Sequence, residues 1–286
     1  MHSQVRSSSL ESQLWVHAPA TLELLPGEAH VWRAHFNEEG VHTTGAWALL
    51  SAEERRQAAQ FRFPEEARRY VAARVMLRDI LLRYPVVVKG PPTIVAGPKG
   101  QPLLSQAPDC PKVRLSLSHS RSFALFAIAL DQCVGVDVEH LSGIADWEAI
   151  AKRYFSTHEC QMLFALSEQK RSREFLSLWT LKEAYVKALG EGFSKPFDSF
   201  TILPSPNGVL RVDDQADATA ASTWSFLELA TDEQYLGALA IEEDNPSVLF
   251  WNWNAMKETK LKLALGSKFA SSTPCNPILT QNSLRR

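Results

Sequence analysis

The stretch Trp179-Thr180-Leu181-Lys182-Glu183-Ala184-Tyr185, running on to Lys187 and Gly190, sets one carboxylate between two ammonium groups within a single predicted helix. Phe175, Leu178, Trp179, Ala184, Val186 and Leu189 recur at intervals of three and four, and Gly190 stands where a C-terminal stop is expected. Glu183 and Lys187 are four apart and share a face, with Trp179 one turn earlier. Lys182 points roughly a hundred degrees away from them. Taken alone, Glu183 and Lys187 read as an ordinary exposed ion pair, which contributes little.

A second element changes that reading. Cys133-Val134-Gly135-Val136-Asp137-Val138-Glu139 has the β-branched character of a strand, with two acids at alternate positions. Asp137 and Glu139 therefore share one face with Gly135, while Val134, Val136 and Val138 form an apolar one. Like charges held this close repel and raise each other's proton affinity unless a cation sits between them. Three carboxylates on a strand and a helix suit a hard divalent cation such as Mg²⁺, which takes few protein oxygens and keeps positions for water and phosphate. Zinc fits poorly, since Cys110, Cys133, Cys160 and Cys275 form no Cys-x-x-Cys pair and the eight histidines show no His-x-x-x-His spacing. Neither a disulfide framework nor a thiolate metal site is indicated, which implies a reducing compartment.

The third element is Leu115-Ser116-Leu117-Ser118-His119-Ser120, followed by the apolar run Phe123 to Leu130. It reads as a strand, a small polar turn and a returning strand. A histidine flanked by two serine hydroxyls offers several donors to a phosphate. No Gly-x-Ser-x-Gly elbow occurs, which disfavours a Ser-His-Asp hydrolase.

The chain must also build the elements that hold these groups. Its 286 residues, 45% of them hydrophobic, suffice for a substantial core in one large or two small domains. Two comparable stretches are predicted, each with strands around a helical region, the first near 51–83 and the second near 168–190. Net charge is −2, but residues 51–120 hold twelve Lys and Arg against six Asp and Glu, which would draw an anionic ligand. A pI of 6.5 and the lack of an aromatic-and-basic RNA motif argue against nucleic acid. The longest apolar run, Phe123 to Leu130, is far short of a membrane span. Residues 1–13 are Ser-rich and lack the apolar core of a signal peptide. From Lys257 onward six Lys and Arg face one Glu, and a mobile tail is expected.

Gly135-Val136-Asp137-Val138-Glu139 and Trp179 through Gly190 resemble the two signature motifs of the Sfp-type 4′-phosphopantetheinyl transferases. Leu117-Ser118-His119-Ser120 is similar to that family's Asn-Ile-Ser-His-Ser turn, Arg153-Tyr154-Phe155-Ser156 with Glu159 to its link between motifs, and His30-Val31-Trp32 to its first strand. The segment from Leu50 through Arg55, Arg69 and Arg74 to Arg78 resembles its first helical region, so the likeness spans roughly residues 28–243.

The resemblance implies an α+β fold made of a pseudo-twofold pair of similar halves, with the active site in the cleft between them. The halves would be 28–131, on the nucleotide side, and 132–255, carrying the metal and catalytic motifs, with an N-terminal extension at 1–27 and a flexible tail at 256–286. It implies transfer of phosphopantetheine from coenzyme A to a serine of an apo acyl- or peptidyl-carrier protein, releasing 3′,5′-ADP. Asp137, Glu139 and Glu183 would hold Mg²⁺ on the pyrophosphate, and Glu183 or a metal-bound water would take the serine proton, with Lys187 completing the catalytic set. Lys182 and Lys187 would face the phosphates, Ser118 and His119 the 3′-phosphate or nearby oxygens of the nucleotide, and Arg55 and Arg69 further phosphate oxygens. The family's Gly-Lys-Pro is here Gly100-Gln101-Pro102, leaving Lys99 to supply the cation, and Ser116 replaces the turn's asparagine. A cytoplasmic monomer is expected, with no membrane contact and organellar import left open by the N-terminal residues. Two other readings use the same residues: a Mg²⁺-dependent phosphohydrolase of coenzyme A-like pyrophosphates, and a non-catalytic coenzyme A-binding homologue.

Overall fold

The computed structural model describes residues 13–36, 46–86, 88, 91–142, 144–204 and 210–254. In chain order the first part gives β1 (Val16–His17), β2 (Glu28–His35), α1 (Ala52–Gln60), α2 (Pro64–Leu81), β3 (Ile94–Ala96), β4 (Pro102–Leu104), β5 (Val113–Ser120) and β6 (Phe123–Leu130). The second gives β7 (Val134–His140), α3 (Trp147–Tyr154), α4 (Thr157–Ala165), α5 (Glu168–Leu189), β8 (Phe200–Pro204), β9 (Leu210–Asp214), α6 (Ala220–Thr223), β10 (Ser225–Leu229) and β11 (Tyr235–Ile241), followed by β12 (Ser247–Asn252).

The internal likeness that sequence comparison of the halves does not reveal is plain in the strand order. One sheet runs β1-β12-β2-β6-β5 and the other β7-β11-β10-β9-β8. In each half the opening strand lies antiparallel to the closing one (β2 to β6, β7 to β11), and the penultimate strand flanks the closing one on its far side (β5, β10). A long helix and then a hairpin follow the opening strand each time: α2 with β3–β4, α5 with β8–β9.

Alternation along the strands dictates how these parts stack. On β6, Ala124, Phe126, Ile128 and Leu130 join Met76, Leu77, Ile80 and Leu81 of α2, while Phe123, Leu125, Ala127 and Ala129 join Val134, Val136, Val138, Leu239 and Ile241 of the other sheet. Both faces of β6 are buried, hence its unbroken apolar run. Beyond the second sheet, Leu181, Ala184, Tyr185 and Ala188 of α5 pack on Ile202, Phe226, Ala238 and Ala240. The layers are helix, sheet, sheet, helix, and each fully buried Leu, Ile or Phe contributes about 1.5–3 kcal/mol.

The expected first helix is two helices. Phe63, before Pro64, is extended (φ −108°, ψ 128°), and Pro64 then opens α2 where its missing N–H costs nothing. Ser51 and Glu54 cap α1 reciprocally, and Glu54 also binds Arg78 of α2 through Nη2 at 2.6 Å. The second helical region matches its expected 168–190, ending at Gly190 with φ 70°.

Domain limits differ from expectation at both ends. β12 pairs in parallel with β2 and so belongs to the first half's sheet although it follows the second half in sequence, and β1 adds outside it. Ala18 and Leu24, placed in an N-terminal extension, are buried in the first half's core. β6 ends at Leu130 and β7 begins at Val134. Residues 1–12 and the tail at 256–286 lie outside the described residues. Cys133 and Cys160 are free thiols.

Candidate active site

β7 and α5 bring the acidic residues together because the strand has no side chain at one position. A Cβ on Gly135 would lie 1.8 Å from the Ala184 carbonyl oxygen and 2.6 Å from the Ala188 nitrogen. The helix backbone therefore rests directly on the strand, which sets Glu183 and Lys187, the neighbours of those alanines, beside Asp137. Gly135→Ala should push α5 off β7 at a cost of about 1–3 kcal/mol or more. Activity should be lost along with the stability, as a urea titration run beside a turnover assay would show.

Asp137 is 3% exposed, and its Oδ1 accepts from Lys187 Nζ at 2.6 Å and from Ser118 Oγ at 2.7 Å. Its Oδ2 is buried with no hydrogen-bond partner. Glu139 accepts from Ser120 Oγ at 3.1 Å, and burial, then the Asp137 charge, raises its pKa. Glu183 is pushed up to about 7 by burial and then by Asp137, with Lys187 opposing and Glu139 adding. Glu139 and Glu183 thus both feel the Asp137 charge. Among the described residues no three or more His, Cys, Asp and Glu side chains are closed into a metal-holding cluster. The expected triad is an anionic recess rather than a finished cage. Its orphaned Oδ2 and two under-compensated carboxyls fit a hard cation that brings its own water and substrate oxygens.

His119 lies beside this recess. Desolvation by the surrounding protein, then the positive charges of Lys187, Arg69 and Arg74, holds its pKa below the usual histidine value. Arg74, whose guanidinium lies 5.0 Å over the Tyr70 ring, is part of the cationic wall that sequence reading left without a role. Its signal was its place on the Arg-rich helix, five residues after Arg69.

Lys182 is not at the site. It is completely buried, 2.9 Å from Glu159 Oε2, and donates to the carbonyls of Phe197 and Phe200 at 2.7 and 2.6 Å. The hundred-degree offset from Glu183 sends its ammonium into the core behind α5, so its expected phosphate contact is corrected. Arg55 is exposed on α1 and donates to the Trp47 carbonyl at 3.4 Å. The turn Lys99-Gly100-Gln101 sits at the far end of α5, where Lys99 Nζ donates to Ser194 Oγ at 2.7 Å and a Cβ on Gly190 would meet the Gln101 amide at 3.5 Å. Gly100 takes φ 83° there, and Pro102 begins β4, buried.

Glu159 is the structural residue that sequence reading undervalued. Ser156-x-x-Glu159 is a capping box that starts α4, a helix not predicted, and Glu159 also accepts from the Ile202 amide at 3.0 Å.

The model of the 4′-phosphopantetheinyl transferase superfamily matches residues 133–240, the span from β7 to β11. The 4′-phosphopantetheinyl transferase HetI of Nostoc sp. is 33% identical over 239 residues, covering 84% of this chain and 98% of that protein. The chain belongs to the 4′-phosphopantetheinyl transferase superfamily. The likeness of this superfamily member extends at 29% identity to the Sfp transferase of Bacillus subtilis, over 58% of this chain and 71% of Sfp. It reaches the human L-aminoadipate-semialdehyde dehydrogenase-phosphopantetheinyl transferase at 24%, over 69% of each. A solved holo-[acyl-carrier-protein] synthase of Thermotoga maritima aligns with 38% of this chain and 62% of its own, at 23% identity and a TM-score of 0.32.

Proposed function

We propose that this transferase moves 4′-phosphopantetheine from coenzyme A to a serine hydroxyl of an apo acyl- or peptidyl-carrier protein and releases 3′,5′-ADP. The observation that carries the reading is the laying of the Glu183–Lys187 face of α5 onto the Asp137–Glu139 strand, with Lys187 Nζ 2.6 Å from Asp137 Oδ1. Asp137, Glu139 and Glu183 would hold Mg²⁺, which when bound supplies charge stabilisation for the phosphoryl oxygens and the leaving group. Lys187 offers the phosphates a cation held in place by Asp137. His119, Arg69 and Arg74 form a positive wall for the nucleotide phosphates, and the neutral imidazole favoured there gains charge as an anion approaches. Glu183 would also take the proton of the attacking serine. The serine oxygen forms the new bond to phosphorus as the bond to the departing 3′,5′-ADP breaks, and the proton ends on Glu183.

Both halves of one chain supply this site, which supports a functional monomer. Among the described residues no helix is long and apolar enough to cross a membrane, and a cytoplasmic place of action belongs to the same reading.

Intact-mass measurement of apo carrier proteins incubated with coenzyme A and Mg²⁺ tests the proposal. One phosphopantetheine added per carrier is expected. Release of 3′,5′-ADP without an acceptor would point to the phosphohydrolase, and tight binding of coenzyme A without turnover to a non-catalytic homologue.

Glu183 also predicts how the metal-free protein responds to pH. Its pKa is raised from 4.5 to about 7 on folding, so between those values the native state holds more protons than the unfolded chain. This contribution is fully present below the unfolded value and is lost as pH rises through the folded one. Tm measured in chelator should fall across that window, and Mg²⁺ should restore it at pH 8. Glu183→Gln should flatten both responses.

A further inference from the structure

The two sheets end side by side on β5 and β7, which are edge strands of their own sheets and form no ladder with each other. Three serines at alternate positions of β5 bridge them instead. Ser116 Oγ accepts from the Val136 amide at 3.0 Å, and Ser118 Oγ donates to Asp137 Oδ1 at 2.7 Å. Ser120 Oγ donates to Glu139 Oε2 at 3.1 Å and accepts from the His140 amide at 3.2 Å. Hydroxyls at positions 116, 118 and 120 thus do along one line what backbone pairing does elsewhere, and two of their four partners are the strand acids of the site.

We propose that this serine row positions the two strand carboxylates, and that Ser120 is the positioning residue for Glu139. A hydroxyl has one hydrogen to give and lone pairs to receive. The His140 N–H occupies a lone pair of Ser120 and so aims its hydrogen at Glu139. The end of the hairpin is tied a second time: Arg121, at φ 51°, donates through Nη2 to Ser142 Oγ at 2.7 Å, just past the end of β7. One oxygen of Glu139 is thereby held, and the other would remain for the cation. Without Ser120 the carboxylate regains rotamers that a cation must freeze on binding. Ser116, at the position of the family turn's asparagine, serves the same seam by holding the β7 backbone.

The inference rests on the proposed cation site, and calorimetric titration of Mg²⁺ into the full-length protein without coenzyme A separates the two. Native protein should bind Mg²⁺ and Asp137→Asn should not; a native protein that binds none overturns the metal reading. Given native binding, Ser120→Ala should weaken Mg²⁺ affinity about 10–100-fold, the range for partners that orient metal ligands. Ser120→Thr, which keeps the hydroxyl, should recover most of that loss. If Ser120→Ala binds with native affinity, or lowers metal-free Tm alone, the positioning role is wrong. Should Ser120→Ala fail to fold, Ser120→Cys carries the same test, because its thiol is only a weak donor.

Discussion

Glu183→Gln protein is expected to transfer phosphopantetheine about 10²- to 10⁴-fold more slowly than native, the span associated with losing a positioned general base. Glutamine fills the same space, so α5 should stay on β7 and the loss should not come from unfolding. What disappears is the carboxylate whose pKa burial and the Asp137 charge raise in the metal-free protein, and with it one of the three proposed oxygen donors to a cation. Raising Mg²⁺ should recover only the share due to weaker metal binding, leaving a floor that reflects the missing proton acceptor. Rates come from the time course of carrier modification by intact mass at several Mg²⁺ concentrations. A variant within threefold of native at every concentration would remove Glu183 from the chemistry.

The largest effect on stability belongs to Lys182. Lys182→Ala should lower the unfolding free energy by about 3–5 kcal/mol, since it strands the Glu159 carboxylate in the core without its cation. Glu159 is itself fully buried and committed to the Ser156 and Ile202 amides, so it cannot turn toward water. The double variant Lys182→Met, Glu159→Gln should regain part of the loss, because no charge remains buried; it should not regain all of it, since the amide oxygen can accept from only one of the two N–H groups that Glu159 serves through separate oxygens. Urea midpoints give these differences. The folded fraction of Lys182→Ala should keep the native KM for coenzyme A. A tenfold rise would return Lys182 to the phosphates.

Lys182 and Glu183 also mark where the sequence was readable and where likeness to relatives overreached. Helical geometry alone puts Lys182 on a different face from Glu183, and the structure agrees. The family motif, which lists the two side by side, suggested a shared ligand. Periodicity likewise exposed β6, β7, the β5–β6 hairpin and α5, because each buries at least one face and carries a matching pattern. The break in the first helical region was legible in Pro64 and went unread because charged residues on both sides favour helix. α3 and α4 were missed although Ser156 and Glu159 spell a capping box, since both are short. The pairing of β12 with β2 joins residues more than two hundred apart, and no local pattern announces such a partner.

That last pairing bears on how the molecule is made. Trp253 Nε1 donates to Asp79 Oδ2 at 2.9 Å, and Arg83 donates to the Asn254 carbonyl as well as to Ala18 and Pro19. A ribosome that has delivered β2 through β6 has therefore not delivered the strand that covers β2 on its other side, and that edge waits unpaired through the synthesis of β7 to β11. Chimaeras of related transferases spliced between Leu130 and Val134 would inherit the mismatch, unless residues 13–17 and 247–254 travel with the first parent.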